Sequence, residues 1–150
     1  MKTLQQGDKV PAFTAKDHDG NSISLTDYTG KKLVVFFYPK ASTPGCTAEA
    51  CNLRDHYKEL KDRGYELLGV SADSQKRQKN FREKYNFPFP LLADEDKKVI
   101  EAFGVWGPKK FMGREFDGIH RTTFVIDEKG VVERVISKVK TKDHAAQILE

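Results

Sequence analysis

Leu33-Val34-Val35-Phe36-Phe37-Tyr38-Pro39-Lys40-Ala41-Ser42-Thr43-Pro44-Gly45-Cys46-Thr47-Ala48-Glu49-Ala50-Cys51 runs from the most apolar part of the chain into a segment that holds both of its cysteines. Leu33 to Tyr38 is continuously apolar, the pattern of a strand covered on both faces, and Pro39 ends its ladder by removing a donor. Thr43 followed by Pro44 is a helix start, with a hydroxyl able to cap and a proline at the first helical position. From Pro44 to Arg63 a single helix is expected, because Cys46, Ala50, Leu53, Tyr57 and Leu60 recur at helical spacing and Gly64 stops the pattern. Tyr65 to Ser71 reads as the next strand. Strand, helix and strand make a parallel unit, so the fold class is α/β, a thin sheet with helices on its faces.

Working outward, Ala12 to Ala15 and Ser22 to Leu25 flank the turn Asp17-His18-Asp19-Gly20-Asn21, an N-terminal hairpin. Ser74 to Tyr85 is a charged surface helix, Phe87 to Ala93 is too proline-rich for more than a short strand, and Lys97 to Phe103 gives a short helix. Gly104 to Gly113 is aromatic, basic and glycine-punctuated without helical or strand period, and is read as a loop near the site. Arg121 to Ile126 and Val131 to Ile136 flank Asp127-Glu128-Lys129-Gly130 as an antiparallel hairpin on the sheet, and Thr141 to Leu149 closes the chain as a helix.

A chain of 150 residues suits one domain, residues 1 to 150. Its 26 basic and 22 acidic side chains, net +4, are interleaved rather than blocked, which a solvated surface explains better than a nucleic-acid groove. Leu33 to Tyr38 is far shorter than the roughly 20 residues a membrane helix needs. Met1 to Asp8 lacks the apolar middle of a secretory signal, so a cytoplasmic protein is expected. In that reducing compartment two cysteines are chemical rather than structural.

On the helix begun at Pro44, Cys46 is the third residue, beside unpaired backbone N–H groups and the positive end of the dipole, influences that favour a nucleophilic thiolate. Cys51 lies about 140° round and roughly 7.5 Å along an ideal helix. That separates the Cα atoms by roughly 8 to 9 Å, beyond the reach of a disulfide. Any bond between the two sulfurs therefore requires the first turns to unwind. Cys46 falls on the apolar stripe and Cys51 on the side of Arg54, Asp55 and Lys58. Two inert free cysteines remain an alternative at this point.

Pro39, Thr43 and Cys46 match the Pro-x-x-x-Thr-x-x-Cys motif of peroxiredoxins. The string from Tyr38 to Cys51 resembles the Q-type branch, the bacterioferritin comigratory proteins, as do Lys109 to Gly113 and Asp117 to Asp127. The resemblance implies a thioredoxin-like fold, a central mixed sheet flanked by helices with an N-terminal hairpin extension, and a thiol peroxidase. Cys46 would be the peroxidatic cysteine, oxidised to a sulfenic acid by hydrogen peroxide or organic hydroperoxides. Cys51 would resolve it as an intramolecular disulfide, reduced by thioredoxin or a similar dithiol. Arg121 would orient the thiolate and stabilise the leaving oxygen. Thr43 would hydrogen-bond thiolate and peroxide, and Pro39 would shield the pocket. Glu49, with Arg121 as candidate partner, and Gly45 would support the site. No cofactor, metal, nucleic-acid or membrane partner is implied, and a monomer is expected, with a weak dimer as the alternative. Ala41 and Leu53 depart from the branch, where many members carry aspartate and phenylalanine.

Each residue also has a plainer role: Thr43 as a helix cap, Pro39 as a strand terminator, Arg121 as a surface charge, and Trp106, Phe111 and Met112 as packing. None of His18, His56, His120 and His144 shows a base-and-nucleophile arrangement. A metal site on Cys46, Cys51 and His56 has too few ligands and irregular spacing. A thioredoxin-like disulfide carrier lacks its Cys-x-x-Cys, and it stands with a peroxide sensor as the alternative function.

Overall fold

The computed structural model describes residues 1–150. The hairpin β1 (Thr14–Lys16) and β2 (Ser22–Ser24) leads through a 3₁₀ turn at Leu25–Tyr28 into β3 (Lys32–Phe37). Then come α1 (Pro44–Asp55), α2 (Tyr57–Asp62), β4 (Tyr65–Ser71), α3 (Gln75–Tyr85), β5 (Leu91–Ala93) and α4 (Lys98–Phe103). A ribbon of β6 (Trp106–Phe111) and β7 (Arg114–Ile119) precedes β8 (Thr122–Ile126), β9 (Val132–Ile136) and α5 (His144–Leu149).

The main sheet has the order β5-β4-β3-β8-β9, with β3, β4 and β5 parallel and β8 and β9 antiparallel to their neighbours. This is the mixed, helix-flanked sheet expected from the sequence. The unbroken hydrophobicity of β3 has a direct cause. Leu33, Val35 and Phe37 face a core shared with Val10, Phe103 and Phe124, whereas Val34, Phe36 and Tyr38 face one shared with Cys46, Leu53, Phe81 and Ile148. With no solvent face, neither side of the strand can carry polar side chains.

Three expectations are corrected. The helix expected over 44–63 breaks at His56 (φ −110°, ψ 16°), where the ring Nδ1 lies 2.9 Å from the Asn52 carbonyl that also accepts the His56 N–H. Gly104 to Gly113 is not a loop. Met112 (φ 52°) and Gly113 (φ 78°) make a two-residue hairpin turn with both φ positive, and β6 pairs β7 along its length. Most of the ribbon is exposed on both faces, so burial imposes no alternation for the sequence to display. The last helix starts at His144 rather than Thr141, and Asn52 of α1 caps it by accepting the Ala145 N–H at 2.7 Å. The same Asn52 donates to the Lys142 carbonyl at 3.1 Å.

The N-terminal segment is tied to the end of α4. Leu4 N–H donates to the Phe103 carbonyl and Thr3 Oγ1 to the Gly104 carbonyl. Gly104 has φ +71°, and a Cβ there would lie 1.9 Å from the backbone oxygen of Lys2. Gly104→Ala therefore has neither the backbone freedom nor the room. It is expected to lower stability by roughly 2 kcal/mol or more in denaturant titration and to speed proteolysis of residues 1 to 5.

Candidate active site

The loop between β3 and α1 turns through Ser42, a non-glycine residue at φ 65°. Such a conformation costs on the order of 1 to 3 kcal/mol and is characteristic of functional loops. It is supported by the Ala41 N–H, which donates to Asp73 Oδ2 at 2.7 Å, and by Thr43 Oγ1, which donates to the Lys40 carbonyl at 2.7 Å. Thr43 occupies the N-cap with extended backbone, but its hydroxyl does not cap α1. With that proton committed to Lys40, the lone pairs of Oγ1 remain as acceptors. Pro39 is half-buried just beyond β3.

Cys46 is 1 % exposed in the first turn of α1. Arg121, in the segment that enters β8, donates from Nη2 to Cys46 Sγ at 3.2 Å and from Nη1 to Glu49 Oε1 at 2.6 Å. One guanidinium thus bridges a sulfur and a carboxylate that lie on the same helix. Gly45 leaves room for this: a Cβ there would stand 3.3 Å from Arg121 Nη2. Cys51 is half-buried and, like Cys46, a free thiol, and burial pushes its thiol up from the usual range. The structure therefore brings Cys46, Arg121, Glu49 and Gly45 together, with Cys51 further along α1.

Two further residues belong to this neighbourhood. Lys109 on β6 lines a cavity of about 580 Å³ with Arg121, His120, Thr122 and Met1, and its ammonium is pushed down by burial and by Arg121. His144 is fully buried on α5, with Nε2 3.5 Å from Glu49 Oε2. Neither carries a role in the sequence motif. Lys109 lies in a stretch without period, and His144 reaches Glu49 only through tertiary packing. No group of three or more His, Cys, Asp or Glu side chains is placed to hold a metal ion.

A fixed cation on a cysteine at a helix start is the arrangement that stabilises a thiolate attacking an O–O bond. Residues 6–135 match the AhpC/TSA family. The chain belongs to that family. It is 48% identical over 149 residues to peroxiredoxin Bcp of Escherichia coli K12, covering 99% of this chain and 96% of that protein. Peroxiredoxin Bcp of Bacillus subtilis is 45% identical over 148 residues, covering 99% and 94%. Among solved structures, Xanthomonas campestris peroxiredoxin Q superposes with a TM-score of 0.86 at 38% identity, over 91% of this chain and 87% of that one. A cysteine-to-serine mutant of Xylella fastidiosa PrxQ gives 0.92 at 30% identity, over 99% and 95%. The fold is thioredoxin-like, and this AhpC/TSA chain is a thiol peroxidase, an oxidoreductase that takes a peroxide substrate and needs a reductant.

Arg121→Lys keeps the charge but cannot span Sγ and Oε1 together. It is expected to slow the reaction of reduced protein with hydrogen peroxide by about 10²-fold in stopped-flow fluorescence, with far-UV circular dichroism unchanged. Burial raises the Glu49 carboxyl from 4.5 to about 7 against the pull of Arg121. Between those values the folded state binds more protons than the unfolded one, so this group's contribution to stability falls as pH rises through the window. Glu49→Gln removes that loss. Its stability relative to the parent should be greater at pH 8 than at pH 5, by a few kcal/mol at most, in paired urea titrations.

Proposed function

We propose that Cys46 is the peroxidatic and Cys51 the resolving residue of a single-domain, two-cysteine peroxidase. The observation that carries this reading is the 3.2 Å contact between Arg121 Nη2 and Cys46 Sγ. The Cys46 thiolate attacks one peroxide oxygen and the O–O bond breaks. The electron pair leaves with the second oxygen, which takes up a proton to become water or an alcohol, while Cys46 becomes a sulfenic acid. Arg121 offers charge at the site where negative charge moves, and the free lone pairs of Thr43 Oγ1 suit a peroxide O–H.

Cys51 then displaces hydroxide from the sulfenic sulfur, which leaves as water with the thiol proton, and an intramolecular disulfide forms. A thioredoxin-type dithiol restores both thiols by exchange. The geometry of α1 requires its first turns to open for this step. The raised thiol of Cys51 fits a residue that waits as a thiol while Cys46 reacts. Hydrogen peroxide and organic hydroperoxides are the substrates of this reading. The Xanthomonas campestris bacterioferritin comigratory protein, a structural neighbour, is described as having alkyl peroxide reduction activity. A monomer in the cytoplasm, where thiols stay reduced, completes the reading. No helix is long and apolar enough to cross a membrane.

Cys46→Ser is expected to reduce peroxide consumption to the background rate. Cys51→Ser should form one sulfenic acid per chain, detectable by dimedone labelling and mass spectrometry, and then fail to turn over with thioredoxin. Full turnover by the Cys46→Ser protein would overturn the assignment.

A further inference from the structure

The environment of His144 determines where its protons sit. Gln147 Nε2 donates to the Lys138 carbonyl at 3.0 Å and Gln147 Oε1 accepts the Lys140 N–H at 2.9 Å, so the orientation of the amide is fixed. Oε1 also lies 2.8 Å from His144 Nδ1, and an acceptor there requires Nδ1 to carry a proton. In the neutral imidazole Nε2 is then a bare acceptor. It lies 2.7 Å from Thr123 Oγ1 and 3.5 Å from Glu49 Oε2, and its single lone pair is open to a proton from either oxygen.

Glu49 Oε2 is sealed from solvent and has no hydrogen-bond partner. If the carboxyl were ionised and the imidazole neutral, Glu49 Oε2 would face the imidazole nitrogen across a dry gap with no donor between them, an arrangement that forfeits the solvation of the carboxylate. One proton between them removes the conflict. Arg121, from the segment entering β8, is the charged group that acts on both members, and the Cys46 sulfur lies on its other amino group. The remaining neighbours of the imidazole, Thr123 on β8 and Gln147 on α5, are neutral.

We propose that His144 is a positioning residue of the peroxidase site: it retains one proton in the gap between its Nε2 and Glu49 Oε2, and so leaves the charge of Arg121 to the Cys46 sulfur. Burial holds the Glu49 carboxyl up to about 7, and burial together with Arg121 pushes the imidazole down, so the proton rests mainly on Glu49. While it is there, the pair is neutral and the guanidinium faces one anion, the thiolate. When it leaves, the carboxylate competes for the same cation across the 2.6 Å contact. Peroxide attack therefore slows on the alkaline side of neutrality. The inference rests on Cys46 being the attacking residue.

The test is the second-order rate constant of the reduced full-length protein with hydrogen peroxide, measured from pH 5.5 to 9.5 by the fluorescence of Trp106, the single tryptophan. The parent is expected to show an alkaline decline of roughly tenfold. Glu49→Gln is isosteric with the protonated acid: its Oε1 can still accept from Arg121 and its amide can donate to His144 Nε2. The alkaline decline should vanish in this variant. His144→Gln offers Glu49 a permanent donor and stabilises the anion, so the rate should sit near the parent's alkaline value at every pH. Adding Glu49→Gln to His144→Gln should restore the rate, because no carboxylate remains to compete. A purely structural histidine would instead give additive losses and leave the alkaline limb in place, which overturns the proposal.

Nitrogen-15 spectra of the imidazole supply a readout independent of peroxide chemistry. They should show a protonated Nδ1 and an Nε2 signal that shifts with pH alongside the rate. An Nε2–H that does not respond to pH overturns the inference even where the kinetics agree. Loss of the Cys46 assignment would appear separately, as peroxide consumption surviving in Cys46→Ser.

Discussion

A guanidinium that is largely withdrawn from solvent must be matched on more than one side, and Arg121 meets that requirement by bridging Cys46 and Glu49. The two partners stand three residues apart on α1, so they project on the same face of the helix. That face in turn is held by the sheet, because Cys46, Ala50 and Leu53 pack into the core beneath β3. Opening α1 would therefore withdraw the sulfur and the carboxylate, the cation's two partners, together. The site is less a set of independent residues than one helix turn clamped by one side chain from the start of β8.

The sheet explains why the clamp can be so short. β8 lies beside β3 in antiparallel register, with Phe37 opposite Thr122. The residue just before β8 therefore emerges at the same edge of the sheet as the loop following β3. Arg121 and the Cys46 loop are distant in sequence but are made neighbours by a single strand pairing. The β6–β7 ribbon brings Lys109 to the same edge, adding a second cation to the cavity wall.

How much of this was legible in the chain follows from which signals are local. The uniform hydrophobicity of β3, the Thr-Pro start of α1 and the stop at Gly64 are local, and each placed its element correctly. The break at His56 was hidden because the apolar spacing continues across it, and the ring Nδ1 set beside the Asn52 carbonyl leaves no trace in that spacing. The ribbon was hidden because a strand exposed on both faces has no reason to alternate. In the site, the motif pointed to Cys46, Thr43 and Arg121, and the helix register put Cys46 at its third position. The direction of the Thr43 hydroxyl and the contact between Glu49 and His144 were not legible. Both depend on where loops and α5 settle, and neither leaves a periodic trace.

Asn52 accepts the Ala145 N–H and donates to the Lys142 carbonyl, so α1 carries the cap of α5 next to Cys51. In the resolving step proposed for Cys51, the order lost from α1 weakens this attachment too, and that lost order belongs to the dithiol form alone. Every interaction confined to that form makes the disulfide a stronger oxidant, by about 30 mV for each 1.4 kcal/mol in a two-electron couple. The seating of the last helix thereby becomes an electrochemical quantity. A side-chain amide far from any reacting atom helps set the midpoint potential at which the reductant must work.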